Sequence, residues 1–371
     1  MIIITGGNFK EKLVSYLIER ESMDVLNLTK KIYSKMQDEE SKEIYGNRCL
    51  FNMTGDKKYL IKMLYAADSP YVAVDRFINN NKDKKIYIYG AGARGKKIYK
   101  HFAEKCEGFI DKKIYELEGL SGVTPEEFFN EKIDDKAVII SLKNGGEAIA
   151  DQLSKIGYES DSFLLTAKYW DKGLEYFENF MEHSDDEIFV DAGVYDGGST
   201  LDFVKWTNGK YKKIYMFEPS KEYHERFFKN VKDLDNLEWV KKGLWSKTDS
   251  LKFFERSDSD ISVEQNLNGV VGDYEYSGGQ YQTIDVTSLD EYLGDEKVTF
   301  IKMDIEGSEC EALKGAEKII MKNKPKLAIC IYHKLDDLWT IPEIIMNYRD
   351  DYKFYIRHYG MEALDTVLYA I

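Results

Sequence analysis

The sequence has 371 residues, of which 43% are hydrophobic and 32% charged, with a formal net charge of −14. A chain of this length predicts more than one hydrophobic core. The acidic balance argues against nucleic-acid partners and anionic membrane surfaces, since both need a concentrated basic face. Four scattered cysteines without a C-x-x-C pair favour reduced thiols and a cytoplasmic location.

Apolar residues three and four positions apart predict helices within residues 1–82, for example in "EKLVSYLIER" and "VLNLTKKIYSKM". This region is highly charged and shows no cluster of catalytic residue types. We interpret it as a helical cap or a dimerisation arm. A homo-oligomer formed through these helices is therefore one expectation.

Residues 83–167 change to an alternation of short strands and helices. The strands are "KKIYIYG", "EGFIDKK" and "AVIISLK", and a helical segment follows each of them. This alternation indicates parallel βαβ units, so we predict a small Rossmann-like domain. A helical connection is predicted over residues 168–184.

A glycine-rich loop stands between the first strand and helix of this domain. Gly90, Gly92 and Gly95 form G-x-G-x-x-G, a pattern that lets a backbone approach a phosphate at a helix N-terminus. Asp111 ends the next strand, where an acidic residue would reach a ribose hydroxyl. The loop either binds a nucleotide or nucleotide-sugar, or serves packing alone. No hydride-transfer acid or base accompanies it.

A second α/β region is predicted over residues 185–371. Its strands include "EIFVD", "KIYMFEP", "VTFIKMD" and "KLAICIYH", separated by helical segments. Two adjacent strands, "YKFYIRHYG" and "TVLYAI", close the region. We therefore expect a parallel sheet that ends in an antiparallel pair.

The glycine loop of this second region differs in its chemistry. The pattern is Asp191-x-Gly193-x-x-x-Gly197, and the strand-end carboxylate suits a cationic, amino-bearing ligand better than a diphosphate. Glu218 ends the next strand, where a carboxylate can accept hydrogen bonds from two ribose hydroxyls. Ligands of open α/β sheets bind at these carboxyl ends. S-adenosylmethionine has the matching groups and no phosphate, so it is the expected cofactor.

Five segments together carry a family resemblance. "VDAGVYDGGST", "FEPSKEYHERFFKNV", "TSLDEYL", "FIKMDIEGSECEALKGA" and "KLAICIYHK" resemble the FkbM family of S-adenosylmethionine-dependent methyltransferases over roughly residues 185–371. The block K-x-D-x-E-G-x-E-x-x-x-L-K-G-A is its most specific part. The first loop departs from the family, which often has Gly-Ala-Asn where this chain has Gly193-Val194-Tyr195.

The resemblance implies an α/β fold with a class I Rossmann-like methyltransferase sheet, parallel with an antiparallel last strand. Glu218 would bind the ribose, while Leu244 and Trp245 would lie near the adenine. The implied donor pocket is lined by residues of the glycine loop, namely Asp191, Gly193, Tyr195, Asp196 and Gly197. The region at 83–167 is similar, more weakly, to small nucleotide-binding domains of sugar-modifying enzymes.

Methyl transfer to a hydroxyl requires alignment of the acceptor and removal of its proton. Asp304, at a strand end, is the first candidate for the base or the acceptor-orienting group. His333 ends a neighbouring strand and is the second candidate. Glu306 and Glu309 extend this cluster, but a turn at a helix N-terminus explains them more simply than Mg²⁺, so no metal is predicted.

The predicted function is methyl transfer to a hydroxyl of a saccharide or glycoconjugate, with an amine as the alternative acceptor. The long polar loop at 257–280 would suit a polyhydroxylated acceptor. Two other functions remain open. The first loop could make the chain a nucleotide-sugar- or NAD-binding protein, or the chain could be a non-catalytic scaffold.

Overall fold

The computed structural model describes residues 22–116, 119–130, 135–170, 175–255, 269–270 and 280–371. They belong to two compact units of discontinuous sequence. Among the described residues, unit 1 comprises those within 64–172 and 359–362, and unit 2 comprises those within 22–63, 175–358 and 363–371.

Helices and strands alternate along most of the described chain. The helices are α1 (Ser22–Lys35), α2 (Glu39–Thr54), α3 (Lys57–Ala66), α4 (Pro70–Asn80), α5 (Ala93–Phe102), α6 (Pro125–Asn130), α7 (Gly146–Lys155), α8 (Ala167–Trp170), α9 (Gly198–Trp206), α10 (Lys221–Val231), α11 (Leu289–Leu293), α12 (Glu309–Lys314), α13 (Glu317–Asn323) and α14 (Asp337–Tyr348). None of these helices has the length and apolar character needed to cross a membrane.

The strands are β1 (Lys85–Tyr89), β2 (Gly108–Ile110), β3 (Gly122–Val123), β4 (Lys136–Ile140), β5 (Phe163–Leu165), β6 (Ile188–Ala192), β7 (Lys213–Phe217), β8 (Leu237–Val240), β9 (Gly243–Leu244), β10 (Asp249–Glu255), β11 (Gly269–Val270), β12 (Gln280–Thr287), β13 (Phe300–Met303), β14 (Lys326–Cys330), β15 (Phe354–His358) and β16 (Thr366–Ala370).

Unit 1 is built on a parallel sheet with the strand order β3-β2-β1-β4-β5. Apolar residues of β1 and β4, such as Ile88 and Ile139, are fully buried, because a parallel sheet is covered on both faces. The three predicted strands correspond to β1, β2 and β4. The structure adds two short strands to these three, β3 with two residues and β5 with three.

Within the first glycine loop, Gly95 serves the packing of unit 1. A Cβ atom on Gly95 would overlap the carbonyl oxygen of Gly90 and lie 2.8 Å from Ser141 Oγ. The Asp111 carboxylate accepts hydrogen bonds from the loop N–H of Ala91 at 2.8 Å and from Lys113 at 2.9 Å. These contacts give Gly95 and Asp111 structural roles, while nucleotide binding by this loop stays a prediction.

The substitution Gly95→Ala is expected to destabilise unit 1 by about 2–3 kcal/mol, since the added methyl group must displace backbone atoms. Urea-induced unfolding measures the change. Gly92→Ala is the matched control, because no atom lies within 4 Å of a Cβ at Gly92. Equal stability of the two variants would contradict the packing role.

Unit 1 also contains a buried carboxylate whose contribution to stability depends on pH. Glu362 Oε1 lies 2.8 Å from Lys100 Nζ. Burial raises the pKa of the Glu362 carboxyl, but the nearby His101 and the hydrogen bond from Lys100 outweigh it and lower the pKa from 4.5 to about 2. The group therefore stabilises the fold above about pH 4.5, and this contribution is lost as the pH falls through about 2.

Glu362→Gln is expected to lower the free energy of unfolding by roughly 2 kcal/mol at pH 7, with a smaller difference from the wild type near pH 3. Urea unfolding at the two pH values measures both differences. Glu159→Gln, at an exposed position of the same unit, should change neither value. A pH-independent loss in Glu362→Gln would show that the carboxylate's charge is not the cause.

Unit 2 contains a seven-stranded sheet with the order β15-β16-β14-β13-β6-β7-β8. The strands β14, β13, β6, β7 and β8 pair in parallel, and β16 is antiparallel to both β14 and β15. The predicted parallel sheet with an antiparallel last strand is thus confirmed. A second, mixed sheet has the order β11-β10-β12-β9.

Helices α1 and α2 pack within unit 2, whereas we predicted one separate helical region over residues 1–82. Met36 forms a bridge with Phe354 of β15, and Asp38 Oδ2 accepts a hydrogen bond from Arg357 Nη2 at 2.7 Å. Arg48 donates to the carbonyl oxygen of Ala363. These partners lie about 300 residues away in sequence, so helical periodicity alone could not reveal them.

Candidate active site

Four neighbouring strands of unit 2 carry polar residues or glycine at their carboxyl ends. In the order β14, β13, β6 and β7, these residues are His333, Asp304, Gly193 and Glu218. From β6 the chain continues to β7 and β8 on one side of the sheet, whereas β13 and β14 lie on the other side of β6. Such a switch point opens a crevice at the carboxyl edge of an α/β sheet, where ligands bind.

Gly193 brings the first loop against the loop after β13. Its φ angle is +81°, and a Cβ atom at this position would overlap the carbonyl oxygen of Asp304. Its N–H donates to the carbonyl oxygen of Phe217 at 3.0 Å. Only glycine combines this backbone conformation with so close an approach.

Asp191 is fully buried beneath this loop. Its Oδ2 atom accepts hydrogen bonds from Ser199 Oγ and Thr200 Oγ1, both at 2.7 Å, which anchor the start of α9. Lys302 Nζ lies 3.2 Å from Oδ1, out of line for a hydrogen bond. In the structure Asp191 therefore supports the loop, and its direct contact with a cofactor amino group stays a prediction.

Lys302 is a buried cation that the sequence analysis missed, although a lysine inside the apolar strand "FIKM" was a signal. It donates 3.1 and 2.6 Å hydrogen bonds to the carbonyl oxygens of Ala192 and Gly193. Burial lowers the pKa of its ammonium group, but Asp191 and Asp304 raise it more strongly. The lysine stays charged and ties β13 to the glycine loop.

Glu218 connects the second strand end to the same loop. Its Oε1 atom accepts a hydrogen bond from the N–H of Ser220 at 2.9 Å, and Oε2 accepts one from Tyr195 at 3.4 Å. Asp196 caps the loop by accepting the N–H of Gly198 at 2.9 Å. Together these bonds fix the loop backbone around the crevice.

The aromatic ring of Tyr195 is exposed on the glycine loop. Its φ angle of +52° is uncommon for a bulky residue and marks local strain, which often accompanies binding sites. The Arg226 guanidinium lies 5.3 Å from the ring, and its Nη1 donates to the Tyr195 hydroxyl at 3.0 Å. Gly197 also has a positive φ, +83°, and ends the loop before α9.

Asp304 is held by two phenols. Tyr176 donates to Oδ2 at 3.1 Å, and Tyr332 donates to Oδ1 at 2.9 Å. Burial raises the pKa of the Asp304 carboxyl, while Lys302 and His333 outweigh it, so the pKa lies below its ordinary value. A well-bonded, ionised carboxylate favours the acceptor-orienting role over that of the base.

Tyr176 was not predicted as a site residue, because its segment was assigned to the helical connection at 168–184. The described part of that segment turns sharply at Tyr176, whose φ angle is +75°. This conformation directs the phenol to Asp304. A strained tyrosine beside a strand-end carboxylate has no signature in the sequence.

His333 lies next to Asp304, as predicted for the two candidate catalytic residues. Its Nε2 atom is 3.5 Å from Asp304 Oδ1 and 3.6 Å from Glu306 Oε2, and Nδ1 is 3.0 Å from Glu309 Oε1. Burial lowers the pKa of the imidazole, but Glu309, Asp304 and Glu306 together raise it to about 10. An imidazolium ion at neutral pH is a poor proton acceptor, which disfavours His333 as the base.

The same cluster offers metal ligands. Asp304, Glu309 and His333 each present one potential ligand atom, and these atoms lie within 4.8 Å of one another. Oxygen and nitrogen ligands in this combination suit several divalent ions.

Leu244 and Trp245 lie at the second sheet of unit 2. Leu244 is buried and pairs with Thr287, whose carbonyl oxygen accepts the N–H of Trp245 at 2.9 Å. Their approach to an adenine stays a prediction. The polar loop predicted at 257–280 lies outside the described residues, except for positions 269–270 and 280.

The crevice fits the expected cofactor. Gly193 lets the loops after β6 and β13 meet closely, and each Glu218 carboxylate oxygen keeps a lone pair that a ribose hydroxyl can use. No phosphate-binding cation is needed for S-adenosylmethionine. Gly193, Tyr195 and Glu218 are therefore the residues that would hold it.

Residues 191–358 match the family model of the Methyltransferase FkbM domain. The methyltransferase FkbM from Methylobacillus flagellatus KT is 21% identical, with a TM-score of 0.43 over 83% of this chain and 98% of that one. An rRNA methylase from Streptococcus thermophilus is 18% identical, with a TM-score of 0.32 over 50% of this chain and 86% of that one. A search of curated proteins found no match.

The matched region runs from Asp191, at the end of β6, to His358, at the end of β15. It thereby contains the glycine loop, Glu218 and the Asp304 cluster. Residues 191–358 are a methyltransferase domain of the FkbM family, and the chain is an S-adenosylmethionine-dependent methyltransferase.

Proposed function

We propose that the enzyme methylates a hydroxyl group of a saccharide or glycoconjugate. The observation that carries this proposal is the Asp304 carboxylate, which two phenols fix at the carboxyl end of β13, beside Gly193. Each of its oxygens keeps a lone pair that can accept a hydrogen bond from an acceptor hydroxyl.

Bound S-adenosylmethionine supplies a methyl group already activated on a sulfonium. The protein then has to hold the acceptor oxygen in line with that methyl group and keep competing water away. The loop backbone around Gly193 and the Glu218 carboxylate position the donor side. Asp304 positions the acceptor hydroxyl. Lys302 holds the glycine loop next to β13 through hydrogen bonds to two loop carbonyl oxygens.

The polar groups near Asp304 support a polyhydroxylated acceptor. Tyr176 and Tyr332 donate to the carboxylate, and Glu306 lies 3.6 Å from the neighbouring His333; their oxygen atoms add to the donors and acceptors that a sugar ring could use. An amine is the alternative acceptor, since the nearby carboxylates would also attract an ammonium group. An ammonium group, however, must lose its proton before it can attack.

The acceptor class can be tested with S-adenosylmethionine labelled with ¹³C in its methyl group. The full chain is incubated with a panel of saccharides, amino sugars and non-saccharide alcohols and amines, and the products are examined by NMR, in which O-methyl and N-methyl carbons have different chemical shifts. We expect O-methyl signals from neutral saccharides. N-methyl products alone would overturn the hydroxyl proposal, and transfer to non-saccharide acceptors alone would overturn the saccharide proposal.

We also propose a cytoplasmic location. Cys49, Cys106, Cys310 and Cys330 are all free thiols, which supports a reducing compartment. Fractionation of the producing cells, followed by immunodetection, tests this location.

A further inference from the structure

We propose that Asp304, Glu309 and His333 form a binding site for one divalent transition-metal cation, for which Mn²⁺ is the probe of choice. The three residues follow β13, begin α12 and follow β14. Their potential ligand atoms lie within 4.8 Å of one another. Ligand atoms that share one ion are about 3–4 Å apart, so small side-chain rotations suffice to close the set.

Two members of the set are buried and incompletely bonded. Glu309 is fully buried, and its Oε1 accepts the N–H of Ile305 at 2.9 Å, whereas Oε2 has no hydrogen-bond partner among the described residues. The His333 side chain is 4% exposed, and although Nδ1 lies 3.0 Å from Glu309 Oε1, neither ring nitrogen makes a hydrogen bond of suitable geometry within the described residues. Buried polar atoms without partners are costly and call for a ligand.

The charge around His333 has the sign that a cation requires. Carboxylate oxygens of Asp304, Glu306 and Glu309 lie within 3.6 Å of its two nitrogens. The neighbouring cation Lys302 is directed instead to Asp191 and to loop carbonyls. A divalent ion would balance the carboxylates and take Glu309 Oε2 and one imidazole nitrogen as ligands, and the imidazolium would release a proton to solvent as the ion binds. The combination of one imidazole with carboxylates suits Mn²⁺ or Zn²⁺ better than Mg²⁺, which prefers oxygen alone.

The site is open on the side where an acceptor would bind. The side chains of Asp304 and Glu306 are 28% and 43% exposed, in contrast to Glu309 and His333. Free coordination positions on this side could be taken by an acceptor hydroxyl. This role rests on the proposed function. The coordinated hydroxyl loses its proton to solvent more readily, its oxygen forms the bond to the methyl carbon, and the bond from sulfur to that carbon breaks.

Metal binding itself can be tested without acceptor or cofactor. Titration of the full chain with Mn²⁺, followed by the EPR signal of free Mn²⁺, should show one saturable site per chain. Glu309→Gln and Asp304→Asn should each weaken Mn²⁺ binding by about tenfold or more. Glu311→Gln is the matched control on α12, because Glu311 Oε1 pairs with Lys314 at 2.5 Å, outside the cluster.

The absence of a saturable site in the wild type would overturn the proposal, as would equal Mn²⁺ affinity in Asp304→Asn and Glu311→Gln. Should Glu309→Gln not fold, by circular dichroism, Asp304→Asn decides, since its side chain is partly exposed. S-adenosylhomocysteine binding to EDTA-treated protein separates the two proposals. Retained binding without any Mn²⁺ site would remove the metal but leave the methyltransferase intact.

Discussion

Replacing Gly193 with alanine is expected to abolish S-adenosylhomocysteine binding and to lower the free energy of unfolding by about 2–5 kcal/mol. Two costs add at this position. Alanine is strained at a φ of +81°, and its Cβ overlaps the carbonyl oxygen of Asp304. Because that oxygen belongs to the backbone, the loops after β6 and β13 must separate. Isothermal titration calorimetry measures binding, and urea unfolding measures stability.

Gly209→Ala is the matched control for this substitution. Gly209 has a similar φ of +75°, but no atom lies within 4 Å of a Cβ there. Its replacement should cost only the backbone strain, about 1–2 kcal/mol, and leave ligand affinity unchanged. If Gly193→Ala bound S-adenosylhomocysteine as well as Gly209→Ala does, the close contact between the two loops would not shape the cofactor site.

Asp304→Asn is expected to retain S-adenosylhomocysteine binding while methyl transfer slows by about 10²- to 10⁴-fold. The amide has the size of the carboxylate but lacks its charge. Its NH₂ group also cannot accept a hydrogen bond, so either Tyr176 or Tyr332 loses its acceptor. The acceptor hydroxyl is then poorly oriented. Initial rates and calorimetric affinities, measured on the same preparation, separate the two effects.

Asp202→Asn provides the charge-matched control, because Asp202 pairs with Lys205 on the partly exposed surface of α9. It should leave the rate unchanged. Tyr176→Phe removes one of the two phenol donors and should give a smaller loss than Asp304→Asn. A rate for Asp304→Asn within a few-fold of the wild type would exclude Asp304 from acceptor orientation.

The features of the fold that depend on local sequence pattern could be predicted. Alternating strands and helices predicted both parallel sheets, and the adjacent strands at 354–370 predicted the antiparallel ending. The residues at the strand ends could be located as well, because the carboxyl ends of parallel strands lie at one edge of the sheet. Asp304 and His333 could therefore be placed together before their distance was known.

Residues that reach the site through non-local geometry could not be predicted. Tyr176 depends on an unusual backbone conformation. Lys302 left a signal, as a lysine inside an apolar strand, but its bonds to the glycine loop depend on the pairing of β13 with β6. The division of the helices between the two units follows contacts such as Arg48 with Ala363, which no periodicity encodes.

The contact between α2 and β15 limits how early these two elements can fold during synthesis. Ser41 Oγ accepts the N–H of Ile356 at 2.9 Å, although 315 positions separate the two residues. At 5–20 residues per second, a ribosome needs roughly 15–60 s to make the intervening chain. During this time the first helices lack the residues that cover them in the fold. Their side chains that become buried include Ile32, Ile44 and Tyr45. The strands of unit 1 can pair in the meantime, but Tyr359–Glu362 of that unit are made only at the end, so the nascent chain exposes apolar surface that chaperones would have to shield.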